Sequence, residues 1–189
     1  PKTRIGLNFA FEERNQYGKT EAITLYNAAH PDEFKPRALF SITPSLVHDR
    51  RDSFIRPGNG FYTGFSVDVS KGLKRTLDDF IKYRADLRYY YTPLERMTLA
   101  WTGRWSHLSA FGSDAKVPSD QLFFLGGGGT VRGFDENMLC YDESGNALGG
   151  RTALSTSLEA RIDLGGNFEL PLFWDAGKVE NTWIPGVVT

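Results

Sequence analysis

The chain has 189 residues, enough for one sizeable domain, and its 22 Lys+Arg against 23 Asp+Glu leave it near neutral, which excludes a nucleic-acid binder working through bulk positive charge. The single cysteine, Cys140, excludes an internal disulfide framework and a cysteine-rich zinc site, and His30, His48 and His107 lie at no metal-ligand spacing. No apolar run approaches the ~20 residues of a membrane helix, so a helical membrane protein is excluded while a barrel is not.

Hydrophobic periodicity is two almost everywhere, the signature of strands with two unlike faces. Over residues 3–11, Ile5, Leu7, Phe9 and Phe11 oppose Arg4, Asn8 and Ala10. Over 38–47, Ala38, Phe40, Ile42 and Leu46 oppose Leu39, Ser41, Thr43 and Ser45, and over 61–70 Phe61, Phe65, Val67 and Val69 oppose Gly64, Ser66, Asp68 and Ser70. The clearest alternation is 81–92, where Ile81, Tyr83, Ala85, Leu87, Tyr89 and Tyr91 interleave with Lys82, Arg84, Asp86, Arg88 and Thr92. Residues 97–105 set Met97, Leu99, Trp101 and Trp105 against Thr98, Thr102 and Arg104. Residues 153–164 set Leu154, Leu158, Ile162 and Leu164 against Ser155, Ser157, Glu159, Arg161 and Asp163. Last, 168–177 sets Phe168, Leu170, Leu172, Trp174 and Ala176 against Glu169, Phe173, Asp175 and Gly177. Seven long strands and no helix are predicted.

A soluble sheet points its apolar face inward, whereas a membrane barrel points it at lipid and lines its lumen with the polar face. Segments of about 9 to 12 residues match tilted membrane-crossing strands and exceed the ~5 to 6 residues usual in soluble sheets. Connection lengths point the same way. The short "TPLER" and "GGN" turns and the "RDSFIRPGNG" turn fall at one end, and long segments, 12–37, 71–79, 110–150 and the tail after 178, fall at the other. Short periplasmic turns and long outer loops are the asymmetry of outer-membrane barrels. Residues 21–26 are expected to extend the first hairpin above the membrane, and Tyr89, Tyr91 and Trp105 to sit at the interfaces where aromatic girdles belong.

The 110–150 connection carries "FFLGGGGTVRGF", with glycines at 126, 127, 128 and 129. A phosphate loop is excluded because Gly129 is followed by Thr130, Val131 and Arg132 with no helix behind them, and a dinucleotide fold because no βαβ unit surrounds the run. The segment "VPSDQLFFLGGGGTVRGF" resembles the sixth extracellular loop of the BamA/TamA outer-membrane assembly superfamily, with its Val-Arg-Gly-Phe motif at Val131, Arg132, Gly133 and Phe134. "GGRTALSTSLEARIDL", with Glu159, is similar to the family's next strand, and "FWDAG", Phe173 to Gly177, to the Phe-x-Asp-x-Gly motif of the strand after it. "HDRRDSFIRPGNGFYTGFSVDV" is similar to a family turn.

The resemblance implies an all-β fold: an antiparallel transmembrane β-barrel, about seven strands of a sixteen-stranded whole, with a long inward-folding extracellular loop. Periodicity puts Glu159, Phe173, Asp175 and Gly177 on the lumenal face, and the family pattern brings Arg132 to the two acids. Its guanidinium fork can engage both where a lysine could not. Gly126, Gly127, Gly128 and Gly129 would let the loop back approach the wall and adopt positive φ. The implied function is assembly: accepting unfolded outer-membrane protein precursors from periplasmic POTRA domains, with accessory lipoproteins as further partners, and inserting them into the lipid bilayer of the outer membrane through a seam between first and last strands. No cofactor, metal or nucleic acid is implied. A two-partner-secretion transporter or a passive pore of the same superfamily is the alternative. An enzyme using Glu159 and Asp175 as acid and base finds no other support, since Ser155 and Ser157 have no histidine nearby. The start at Pro1 fits either a removed signal peptide or an excerpt, and the missing POTRA domains and closing strands fit a partial barrel over 1–189. Cys140 is expected to be an unpaired loop residue, with pairing to another chain left open.

Overall fold

The computed structural model describes residues 2–14, 37–73, 79–111, 119–143, 145–166 and 168–181. Seven strands run in chain order: β1 (Lys2–Arg14), β2 (Arg37–Asp49), β3 (Gly60–Gly72), β4 (Asp79–Leu94), β5 (Met97–Phe111), β6 (Thr152–Gly165) and β7 (Phe168–Glu180). Each pairs antiparallel with its sequence neighbour, giving one meander sheet ordered β1 to β7. All seven predicted strands are present and longer than expected, at 13 to 16 residues. A strand of this length, at ~3.4 Å per residue and a ~45° tilt, spans about the 30 Å of a bilayer core. The proposed hairpin extension at 21–26 lies outside the described residues.

Faces follow from the pairing. Leu87 is 42 %, Trp101 38 % and Leu158 49 % exposed, so the apolar residues that would form the heart of a soluble sandwich lie bare on the outer surface. Phe9, Phe65, Tyr89, Tyr91, Leu172 and Trp174 share that exposure. An apolar sheet face of this extent belongs against lipid. The Trp101 indole N–H there donates to Thr156 Oγ1 at 3.0 Å, which keeps a polar donor satisfied where water is absent.

Buried residues collect instead on the concave, polar-patterned face. Leu39, Phe80 and Leu108 pack together with Ala110 and Phe123, and Leu125, Val131 and Ala153 with Leu139 and Val179. Parity places Leu39 with serines, and Phe80 lies just outside the alternating segment 81–92. Phe123 of the returning loop packs on their cluster, cover that period-two patterning cannot register. Trp105 pairs across to Leu154 and Ala85, in the half of β5 nearer the long loops.

At the short-turn end, residues 50–59 form a tightly bonded turn. Asp49 takes both the Nε and Nη2 donors of Arg51, at 2.9 and 2.8 Å. Asp52 accepts the backbone N–H groups of Ser53, Gly58 and Asn59 at 2.8 to 3.0 Å. Desolvation pushes the Asp52 carboxyl up, but those three donors outweigh it and hold it below its ordinary range. A depressed folded value means the stabilisation is full above the unfolded pKa of about 3.9 and is lost as pH falls through the folded one. Hydrogen-exchange protection of the Ser53, Gly58 and Asn59 amides, corrected for the intrinsic pH dependence of exchange, is therefore expected to stay constant down to about pH 4 and fall below it. Asp52→Asn should remove that acid step; its survival in the variant would assign the step to another group.

Candidate functional site

The loop between β5 and β6 turns back onto the lumenal face, and its first feature is the glycine run. Gly126 and Gly127 have φ of 124° and 88°. A Cβ on Gly126 would stand 2.4 Å from the Asp135 carbonyl oxygen. Both positions therefore require glycine for conformation, and Gly126 for space as well. Gly128 and Gly129 have neither constraint, since nothing lies within 4 Å of a Cβ there. Thr130 closes this turn: its Oγ1 donates to the Gly126 carbonyl at 2.8 Å and accepts the Gly126 N–H at 2.9 Å. The Gly127 N–H donates to the carbonyl of Phe134, whose side chain is half-exposed. Gly133 also has positive φ, at 93°.

This tight turn aims Arg132 at the wall. Its Nε and Nη2 donate to Asp175 Oδ2 and Oδ1 at 2.7 and 2.9 Å, its Nη1 to Glu159 Oε2 at 2.8 Å, and its Nη2 also to Ser157 Oγ at 3.1 Å. The Arg132 backbone N–H adds a fourth contact to a carboxylate, 3.0 Å from Asp175 Oδ2. The guanidinium carbon stands 3.6 Å from the centre of the Phe173 ring, so the planar cation is stacked as well as forked. The pairing of β6 with β7 explains the convergence: Glu159 lies opposite Phe173 and Ser157 opposite Asp175, all with one parity. The Asp175 side chain is 3 % exposed, against 24 % for Glu159, so the first is an enclosed anion and the second a wet one.

Val131, one residue before the arginine, is 2 % exposed and packs with Leu125 and Ala153. It presses on Gly177: a Cβ there would come within 2.7 Å of Val131 Cγ2, 3.1 Å of Leu125 Cδ1 and 3.2 Å of Leu139 Cδ2. Glycine at 177 thus makes the notch into which the loop seats.

Three contacts were missed by the sequence reading. Ser157, on the polar face and without a histidine to activate it, accepts from Arg132. Arg104 on β5 donates to the Gly129 carbonyl at 2.7 Å, and Lys82 on β4 to Gln121 Oε1 at 2.7 Å. The loop is thereby tied to four successive strands. Arg104 and Lys82 are ordinary members of a polar face, and no local signal separates them from Arg84 or Arg88. Cys140 is free and partly buried, its carbonyl accepting the Leu148 N–H. Among the described residues no group of three or more His, Cys, Asp or Glu gathers as a cation site.

Residues 2–185 match the Omp85 superfamily domain. The outer membrane protein assembly factor BamA of Neisseria meningitidis serogroup B is 25 % identical over 151 residues, covering 75 % of this chain and 19 % of that protein. The crystal structure of BamA from Haemophilus ducreyi lacking POTRA domains 1–3 is similar in fold, with a TM-score of 0.69 at 19 % identity over 95 % of this chain and 38 % of that one. The chain thus spans only about a fifth of the length of its curated relative. The lipid-type outer face, the loop seated in the lumen and a domain match along nearly the whole sequence converge on one assignment: the chain belongs to the Omp85 superfamily and is part of an outer-membrane β-barrel.

Proposed function

We propose that this chain serves in an assembly factor that folds and inserts β-barrel precursors into the bacterial outer membrane, without enzymatic chemistry or a cofactor. The observation that carries the reading is the Arg132 contact with Glu159 and Asp175, which holds a loop across the lumen wall. A passive pore gains nothing from filling its own channel. The two carboxylates are engaged by a guanidinium, which argues against their use as a free acid and base. Val131, Arg132, Gly133 and Phe134 act as the loop lock, with Glu159, Phe173, Asp175 and Gly177 as its seat. On this reading the partners are lipid, unfolded precursors delivered by POTRA-type periplasmic domains, and accessory lipoproteins. The free energy comes from precursor folding itself, which replaces unpaired strand edges by closed hydrogen bonding in lipid.

The test reconstitutes the full-length protein in liposomes and supplies an unfolded eight-stranded barrel precursor. Faster acquisition of the heat-modifiable, protease-resistant form than in empty liposomes is expected, with small conductance in planar bilayers. Passage of a secreted polypeptide into the vesicle interior, with no acceleration of barrel insertion, would establish the two-partner-secretion role instead.

A further inference from the structure

The turn between β2 and β3 reaches far beyond its own hairpin. Its residues contact strands progressively farther across the sheet. Asn59 Oδ1 accepts the Thr92 N–H at 3.1 Å and the Gly58 carbonyl accepts Thr92 Oγ1 at 2.8 Å, both at the end of β4. The Pro57 carbonyl accepts Arg161 Nη2 of β6 at 2.5 Å. Arg56 Nη2 bonds to Glu169 Oε2 of β7 and lies 3.9 Å from Asp163 Oδ2 of β6. Four consecutive residues therefore step from β4 through β6 to β7 on the lumenal face, since Arg161, Asp163 and Glu169 share the parity of Glu159 and Asp175.

We infer that residues 56–59 form a strap across the periplasmic mouth of the lumen, tying the β2–β3 turn to the same β6–β7 hairpin that receives Arg132. Two features make it a fixed bar. Asp52 accepts two of its backbone donors, the Gly58 and Asn59 N–H groups, and Pro57, with a ring that locks φ, is buried against the wall. The Arg56 side chain is 62 % exposed, so its ion pair with Glu169 is weak by itself. It sets the far end of a strap already held by the neutral bonds to Thr92 and the charge-assisted bond from Arg161. The hairpin carrying Glu159 and Asp175 is gripped at two levels, by the loop lock near mid-strand and by the strap at the periplasmic end. The strap keeps bulky solutes in the periplasm out of the lumen, whether the parent protein assembles or secretes.

The test uses the full-length protein in liposomes with its periplasmic side outward, carrying Thr102→Cys as a lumenal reporter in a Cys140→Ser background. Labelling is followed with N-ethylmaleimide and with a bulky polyethylene-glycol maleimide, and folding by heat-modifiable migration. Arg56→Ala with Arg161→Ala should raise the bulky reagent's rate several-fold and leave the small reagent's rate unchanged. Arg56→Glu, at an exposed position that folding tolerates, should act in the same direction, and adding Glu169→Arg should restore the slow rate. Equal bulky-reagent rates in folded strap variants, or a swap no slower than Arg56→Glu alone, would overturn the strap. No precursor enters this assay, so its failure is distinguishable from failure of the assembly role.

Discussion

Arg132→Ala is expected to release the loop segment around residues 122–139 from the lumen while leaving the seven-stranded sheet paired. The sheet's ladder runs through backbone bonds that do not involve the loop, so the barrel should still migrate as a folded species. The loop should become sensitive to protease, and precursor insertion should fall. The magnitude follows from burial. Removing the guanidinium strands Asp175 as an enclosed anion with a 3 % exposed side chain, and breaking a buried pair in this way costs about 3 to 5 kcal/mol. Glu159, at 24 %, turns to lumenal water, so Glu159→Ala should cost only about 1 kcal/mol.

Asp175→Ala should displace the loop at least as much as Arg132→Ala, because it also removes the acceptor for the Arg132 backbone N–H. Lysine is no conservative replacement here: it keeps the charge but loses the fork that spans two carboxylates and the plane that stacks on Phe173. In a double-mutant cycle, Arg132→Ala with Asp175→Ala should cost clearly less than the sum of the singles. Additive losses, read as protection of the loop from protease or hydrogen exchange, would show that the two side chains act separately.

Gly177→Ala should unseat the same loop by a different physical route. In a strand interior, exchanging glycine for alanine ordinarily favours the folded state by roughly 0.5 to 1 kcal/mol, because the unfolded chain loses freedom. Here the sign reverses. The new methyl would meet three side-chain methyls at 2.7 to 3.2 Å, two of them on Val131 and Leu125, which are 2 % and 7 % exposed and have no water to retreat into. Overpacking of this kind costs about 1 to 3 kcal/mol, and Gly177→Val should cost more. Val131→Ala, added to Gly177→Ala, should recover part of the loss by vacating the closest contact. A neutral or stabilising Gly177→Ala, measured as loop protection and insertion rate, would mean that the loop does not occupy this notch in the membrane.

Legibility in the sequence differed sharply between these features. Alternation of Leu87, Tyr89 and Tyr91 with Asp86, Arg88 and Thr92 is a property of neighbouring residues, so strands, faces and the lumenal parity of Glu159 and Asp175 could all be read locally. The loop lock was legible only through resemblance to a family motif, because nothing within ten residues of Arg132 indicates what it meets 43 positions later at Asp175. In the glycine run, four positions looked alike and only Gly126 and Gly127 proved to need positive φ. Arg104 and Lys82 stayed hidden among equivalent charges, as did the reach of Arg56 to Glu169 across 113 residues.

By itself, then, the amino-acid order determined seven membrane-length strands, a bare apolar side and a charged concave one, since a period of two is written residue by residue. Tertiary structure alone decided that Leu39, Phe80 and Leu108 of the polar-patterned side would be covered by the returning loop, and which carboxylate would be dry. It also decided that one turn would reach across to β4, β6 and β7. The physical reason is that these contacts join segments distant in the chain, and burial by such a segment leaves no periodic trace in either partner.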